Sequence, residues 1–166
     1  MPARRRRVAK SKLSVRAAGL RDLDALVHQR RAMWKALGVK NDGLHEKGDH
    51  VYKRWARARL RNHQLMAWVV RSDDGRIAGG GCLWLQPVQP RPQRSSMVQP
   101  YLLSMYTEPD FRKKGAASLV VEEAIKWCMK RRYERLMLHA SQMGRGVYSR
   151  LGFKRTWEMR LNLEDR

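Results

Sequence analysis

Apolar residues recur along this chain with two different periods, and each change of period marks the edge of an element. Leu13–Ala18 alternates as a first strand does, and Gly19 breaks it. Leu23, Leu26, Val27, Met33, Trp34 and Leu37 then fall three or four apart. That spacing predicts a helix over Arg21–Leu37, with Asp22 and Asp24 in its first turn. Gly38 closes the helix and Asn41-Asp42-Gly43 reads as a loop. Val51, Tyr52, Trp55, Ala58 and Leu60 predict a second helix over Glu46–Asn62. Leu65–Arg71 and Arg76–Val88 flank the turn Ser72-Asp73-Asp74-Gly75 and read as a hairpin.

Four prolines between Pro87 and Pro100 predict an exposed loop. Pro100–Thr107 follows as a central strand, ended by Glu108-Pro109-Asp110. Ala116–Arg132 carries Leu119, Val120, Ala124, Trp127 and Cys128 on one helical face. Arg135–His139 is a further strand, Gly146–Leu151 a short helix, and Phe153–Leu163 alternates as a last strand bending near Trp157. The order β-α-α-β-β-β-α-β-α-β predicts an α+β chain with a mixed sheet. With 166 residues, 43% of them apolar, the chain can bury one core. The expected organisation is a single domain over 13–166 behind a basic, disordered arm over 1–12.

Composition narrows the partners. Cys82 and Cys128 lie far apart within apolar elements, so they read as core thiols, with no disulfide framework and no metal cluster. No run is long and apolar enough for a bilayer, and no leader pattern opens the chain; a cytoplasmic setting is expected. The formal charge is +21, from 36 Lys and Arg against 15 Asp and Glu. Six cations and no anion fall in residues 1–12, and the rest of the excess is spread. Such a surface attracts nucleic acid non-specifically. Its plainer reading is a solvated basic surface, because no recognised nucleic-acid-binding motif accompanies it.

The chemistry concentrates at Arg112-Lys113-Lys114-Gly115-Ala116-Ala117-Ser118, between the central strand and the following helix. A strand, a basic glycine turn and a helix N-terminus together make an anion-binding device. The glycine lets backbone approach a ligand, the first helical amides point at it, and the dipole favours phosphate.

Two motifs carry a resemblance. Thr107-Glu108-Pro109-Asp110-Phe111-Arg112-Lys113-Lys114-Gly115-Ala116-Ala117 resembles the Val-x-Pro-x-x-Arg-x-x-Gly-x-Gly/Ala signature of the GNAT superfamily of acyl-CoA N-acyltransferases. Ser141-Gln142-Met143-Gly144-Arg145-Gly146-Val147-Tyr148-Ser149-Arg150-Leu151-Gly152-Phe153 is similar to its second signature, Asn-x-x-Ala-x-x-x-Tyr-x-x-x-Gly-Phe, with Ser141 replacing Asn. The resemblance implies a mostly antiparallel sheet splayed beside the central strand and flanked by helices. It implies acetyl-CoA as donor, with its pyrophosphate on Arg112, Lys113, Lys114, Gly115, Ala116, Ala117 and Ser118. Its amide-rich arm would lie along Met105, Tyr106 and Thr107, with Ser141 as a further contact.

The same resemblance implies direct attack of an amine on the thioester, with Tyr148 protonating the thiolate. Glu108 and His139 are both candidates for the base, each with an ordinary structural reading beside it: a solvated residue before proline, and a satisfied strand-end histidine. Glu46, Asp49 and His50 open the second helix and either recognise a cationic amine or cap the helix. Trp34, Tyr52 and Trp55 read as core. The acceptor, a small amine, an amino acid or a peptide N-terminus, is not spelled out, nor is the choice between monomer and homodimer. A second class of reading is a catalytically weak GNAT-fold module that binds nucleic acid through its basic surface.

Overall fold

Strand β1 (Leu13–Ala18) runs antiparallel to β2 (Leu65–Ser72), which turns through Asp73–Gly75 into β3 (Ile77–Pro87). Strand β4 (Val98–Thr107) continues the antiparallel meander, and β5 (Met137–Leu138) adds in parallel on its far side, giving the order β1-β2-β3-β4-β5. Helices α1 (Leu23–Ala36) and α2 (Asp42–Arg61) separate β1 from β2. Helix α3 (Ala116–Lys130) and α4 (Arg145–Arg150) flank β5 in sequence. The computed structural model describes residues 12–92 and 96–165. Nearly all of the predicted basic arm, and the centre of the proline-rich loop, lie outside the described residues.

Strand β2 shows why two helical layers form. Leu65, Ala67 and Val69 belong to the core under α1 and α2, while Trp68 and Val70 belong to the core under α3. Both faces of a strand with period-two alternation are therefore apolar, and each needs its own cover. The glycine run of β3 lets the layers close. A Cβ on Gly80 would lie 2.6 Å from Gln29 Oε1 of α1, and one on Gly81 would collide with the Met105 sulfur.

Near the sheet edge Arg16 of β1 grips Asp22, which precedes α1, through Nη2–Oδ1 at 2.7 Å and Nη1–Oδ2 at 3.0 Å. The Gly19 amide donates a third bond, at 3.0 Å. The Arg16 hydrogen bonds hold the buried Asp22 carboxyl down to about 2, below the ordinary 3.8. A depressed carboxyl stabilises the fold above its unfolded pKa and loses that contribution as pH falls through about 2. Asp22→Asn is expected to cost about 2 kcal/mol at pH 7. The deficit should shrink below pH 4 and be nearly gone at pH 2; urea midpoints at several pH values check this.

Most predicted elements form, with shifted ends. Asn41 is not loop: its side chain accepts from the Leu44 amide at 3.1 Å and caps α2, which thus begins at Asp42 rather than Glu46. Trp34, expected in the core, is 38% exposed at the end of α1, with the Arg30 guanidinium 5.9 Å from its ring. Tyr52 is core and Trp55 half-buried. The predicted last strand does not form. Residues 153–162 take no regular structure, and Trp157, Met159, Leu161 and Leu163 are exposed. Alternation reports a face, not a neighbour, and β5, with two paired residues, supplies too short an edge to pair with.

Candidate active site

Strand β4 carries an irregularity that opens the site. Cys82 pairs with Leu103 and Gly80 with Tyr106, so Ser104 and Met105 together face Gly81, and Ser104 takes φ 53°. That is a bulge, with one residue more on β4 than on β3. On its other side β4 meets β5 only through Tyr101↔Met137 and Leu102↔Leu138. Beyond Leu102 the two strands part, and the backbone of Leu103–Thr107 faces a gap rather than a ladder. Backbone groups freed in this way can hydrogen-bond an amide-bearing ligand as another strand would.

At the C-terminal end of β4 the chain turns over Pro109–Phe111 and enters α3 through Gly115, whose φ is +91°. Phe111 is buried beneath the turn, with Arg76 and Lys114 stacked on its ring at 4.8 and 5.5 Å. Lys113 also has a left-handed backbone, φ 59°. The first intrahelical bond runs from the Leu119 amide to the Gly115 carbonyl at 3.1 Å. Helix geometry leaves the amides of Ala116, Ala117 and Ser118 without an acceptor inside the helix. A Cβ built on Gly115 meets nothing within 4 Å, so the space above the turn is open. Open space, inward amides, a helix dipole and flanking cations fit a pyrophosphate. Arg112 Nε donates to the Thr107 carbonyl at 3.3 Å, tying the turn back to the end of β4.

Helix α4 lies on the same face as α3. Tyr148 is buried, 9% exposed, with its ring edge-on to Phe153 at 5.8 Å. Burial raises its pKa, so the phenol is protonated at neutral pH. Ser141 Oγ accepts from the Gly144 amide at 3.2 Å, which braces the entry to α4. Its hydroxyl hydrogen remains available to another acceptor.

The two candidate bases are not together. Glu108, at the open end of the gap, meets His28 Nε2 of α1 at 3.2 Å. Glu108 also acts on the Tyr106 phenol: burial first, then the Glu108 charge, raises its pKa, and Arg112 opposes them. His139, just past the last β4–β5 pair, joins Tyr101 through Nδ1 and Glu158 through Nε2, the latter at 2.9 Å. Sequence reasoning missed His28, Tyr101 and Glu158. No spacing rule links residues so far apart, although Tyr101 and His139 flank the predicted splay.

A cavity of about 650 Å³ opens beside His139. A second, of about 290 Å³, lies between α1 and α2 beside Glu46, Asp49 and His50. Acids are paired with bases there: Asp49 with Arg31 at 2.7 Å and Asp24 with Lys53 at 2.5 Å. Cys82 and Cys128 are buried free thiols pushed up to about 11 by burial. Among the described residues no group of three or more His, Cys, Asp or Glu could hold a metal, and no helix is long and apolar enough to cross a membrane.

Residues 27–153 match the sequence profile of the Acetyltransferase (GNAT) family. Among solved structures, the chain is similar to a predicted acetyltransferase from Clostridium acetobutylicum solved with acetyl-CoA, at 25% identity and a TM-score of 0.81, covering 93% of this chain and 99% of that one. A GCN5-related N-acetyltransferase from Ralstonia eutropha JMP134 aligns at 23% identity and 0.81, covering 92% and 99%. AAC(6')-Iy in complex with the bisubstrate analog CoA-S-monomethyl-acetylneamine shares the fold at 17% identity and 0.67, covering 92% and 97%. No curated protein matches the chain.

Proposed function

Because this chain belongs to the acetyltransferase (GNAT) family, we propose that residues 13–166 act as one domain transferring an acetyl group from acetyl-CoA to a primary amine. The observation that carries this reading is the Gly115 turn, with open space above it, set at the end of a strand whose next neighbour has peeled away. Lys113, Lys114 and the amides of Ala116, Ala117 and Ser118 would hold the pyrophosphate. The free edge at Met105, Tyr106 and Thr107 would hold the amide arm, with Ser141 as a further contact.

Acetyl-CoA supplies an activated acyl carbon as a thioester. The acceptor nitrogen, once neutral, forms the new N–C bond as the C–S bond breaks. The chain's task is to polarise the carbonyl with a backbone amide of the bulge, remove a proton from the amine and supply one to the sulfur. Tyr148 is suited to the last role because its neutral phenol is a donor on the α3–α4 face. Glu108 and His139 are the residues suited to the first proton, Glu108 by way of His28.

A thermal-shift titration tests the reading. At about 100 times Kd, a ligand that binds only the folded chain adds about 2.7 kcal/mol, raising Tm by roughly 5 to 10 °C for this size. Acetyl-CoA should do so, and thiol release should appear when an amine is added. No shift at millimolar acetyl-CoA would sink the proposal.

A further inference from the structure

The larger cavity lies on the side of the sheet away from Tyr148. Trp84 and Leu103 line it and also pack against the core under α1 and α2. Tyr101 and Met137, register partners one pair before the strands part, share its wall, and His139, two places after Met137, lies on the same side. Thr156, Trp157 and Glu158 of the C-terminal segment close it from outside. The cavity therefore meets the splay where the strands begin to part, opposite the face that carries α3 and α4.

Resting on the acetyltransferase reading, we propose that this cavity receives the acceptor, a primary amine on an aromatic or apolar body, and that Tyr101, His139 and Glu158 relay its proton away. The walls decide the body: Trp84, Tyr101, Leu103, Met137 and Trp157 present rings and alkyl groups. The Gln99 Nε2 donor is already engaged, giving to the Arg135 and Pro100 carbonyls at 3.0 and 3.3 Å. Arg91 at the lining opposes an acceptor with several positive charges.

The relay follows from donor and acceptor count. With the His139 hydrogen on Nε2, that N–H donates to Glu158, and Nδ1 accepts the Tyr101 hydroxyl. The remaining Tyr101 lone pairs face an incoming ammonium. Its proton passes to Tyr101 Oη as the phenolic proton passes to His139 Nδ1. The products are a neutral amine, a neutral phenol and an imidazolium paired with Glu158. His139, 51% exposed, then returns the proton to water. Burial keeps the Tyr101 phenol protonated, with Glu158 adding to the effect and Arg160 opposing it. Among the described residues, Tyr101, Glu158, Arg160 and Arg91 are the charged or titratable groups around His139.

The test compares wild type, His139→Gln and Glu158→Gln by thiol release with acetyl-CoA, using 2-phenylethylamine and spermidine. Phenylethylamine should be the better acceptor by at least tenfold in kcat/KM. His139→Gln should lower kcat/KM about 10²-fold at pH 7, Glu158→Gln less, and both deficits should shrink near pH 10, where the free amine abounds. The acetyl-CoA thermal shift should stay as in wild type. Equal deficits at pH 7 and pH 10 would overturn the relay, and a preference for spermidine would overturn the cavity assignment. An acetyl-CoA shift without phenylethylamine acetylation sinks this proposal alone. Absence of any acetyl-CoA shift removes the acetyltransferase reading beneath it.

Discussion

Gly115→Glu is expected to abolish the thermal shift from acetyl-CoA and to weaken its binding by at least 10²-fold. Two effects act together. At φ +91° an L side chain strains the backbone by about 1–2 kcal/mol, so the turn resists its present shape or distorts. The new side chain also grows into the open space above the α3 amides and sets a carboxylate where an anion is to bind. Gly115→Ala separates the two. Its Cβ meets no atom within 4 Å, so it carries the backbone strain without the charge and should lose binding far less. Titration calorimetry on both variants, with far-ultraviolet circular dichroism to show that they fold, reads the difference. A Gly115→Glu protein that binds acetyl-CoA as wild type does would move the pyrophosphate site elsewhere.

Tyr148→Phe should lower kcat about 10²-fold while leaving acetyl-CoA affinity within a factor of two. The substitution removes one oxygen and keeps the ring that packs against Phe153 at 5.8 Å, so fold and cofactor contacts persist. What disappears is the protonated phenol, and general-acid groups commonly contribute factors of this size. Because burial raises the Tyr148 pKa, wild-type activity should not fall through loss of this proton at any pH up to about 10. An unchanged kcat would return Tyr148 to a packing role.

The parts of this architecture that are contiguous in the chain were legible in it. Gly115 after two lysines and before a helical stripe declared a turn where backbone can approach a ligand, and the structure has an open turn with φ +91° there. The hairpin of β2 and β3 followed from Asp73-Asp74-Gly75 between apolar runs. Groupings made by the fold were not legible. Tyr101 and His139 are separated by 38 residues, and His28 and Glu108 by 80. Nothing local couples them; strand register and helix packing do. The missing last strand shows the converse limit. Trp157, Met159 and Leu161 have strand periodicity, yet pairing depends on a neighbour's free edge that no local pattern encodes.

The extra residue at Ser104 also has an arithmetic consequence. Side chains on a strand alternate, so inserting one position reverses parity for everything downstream. Leu103 packs toward α1 and α2 and, two places on, Met105 packs toward α3, on the opposite side. Which residues of β4 face the α3 layer and which the α1–α2 layer is thus fixed by counting rather than by identity. Among related chains, a gap at this position would exchange the two faces of the site, whereas a substitution would leave them in place.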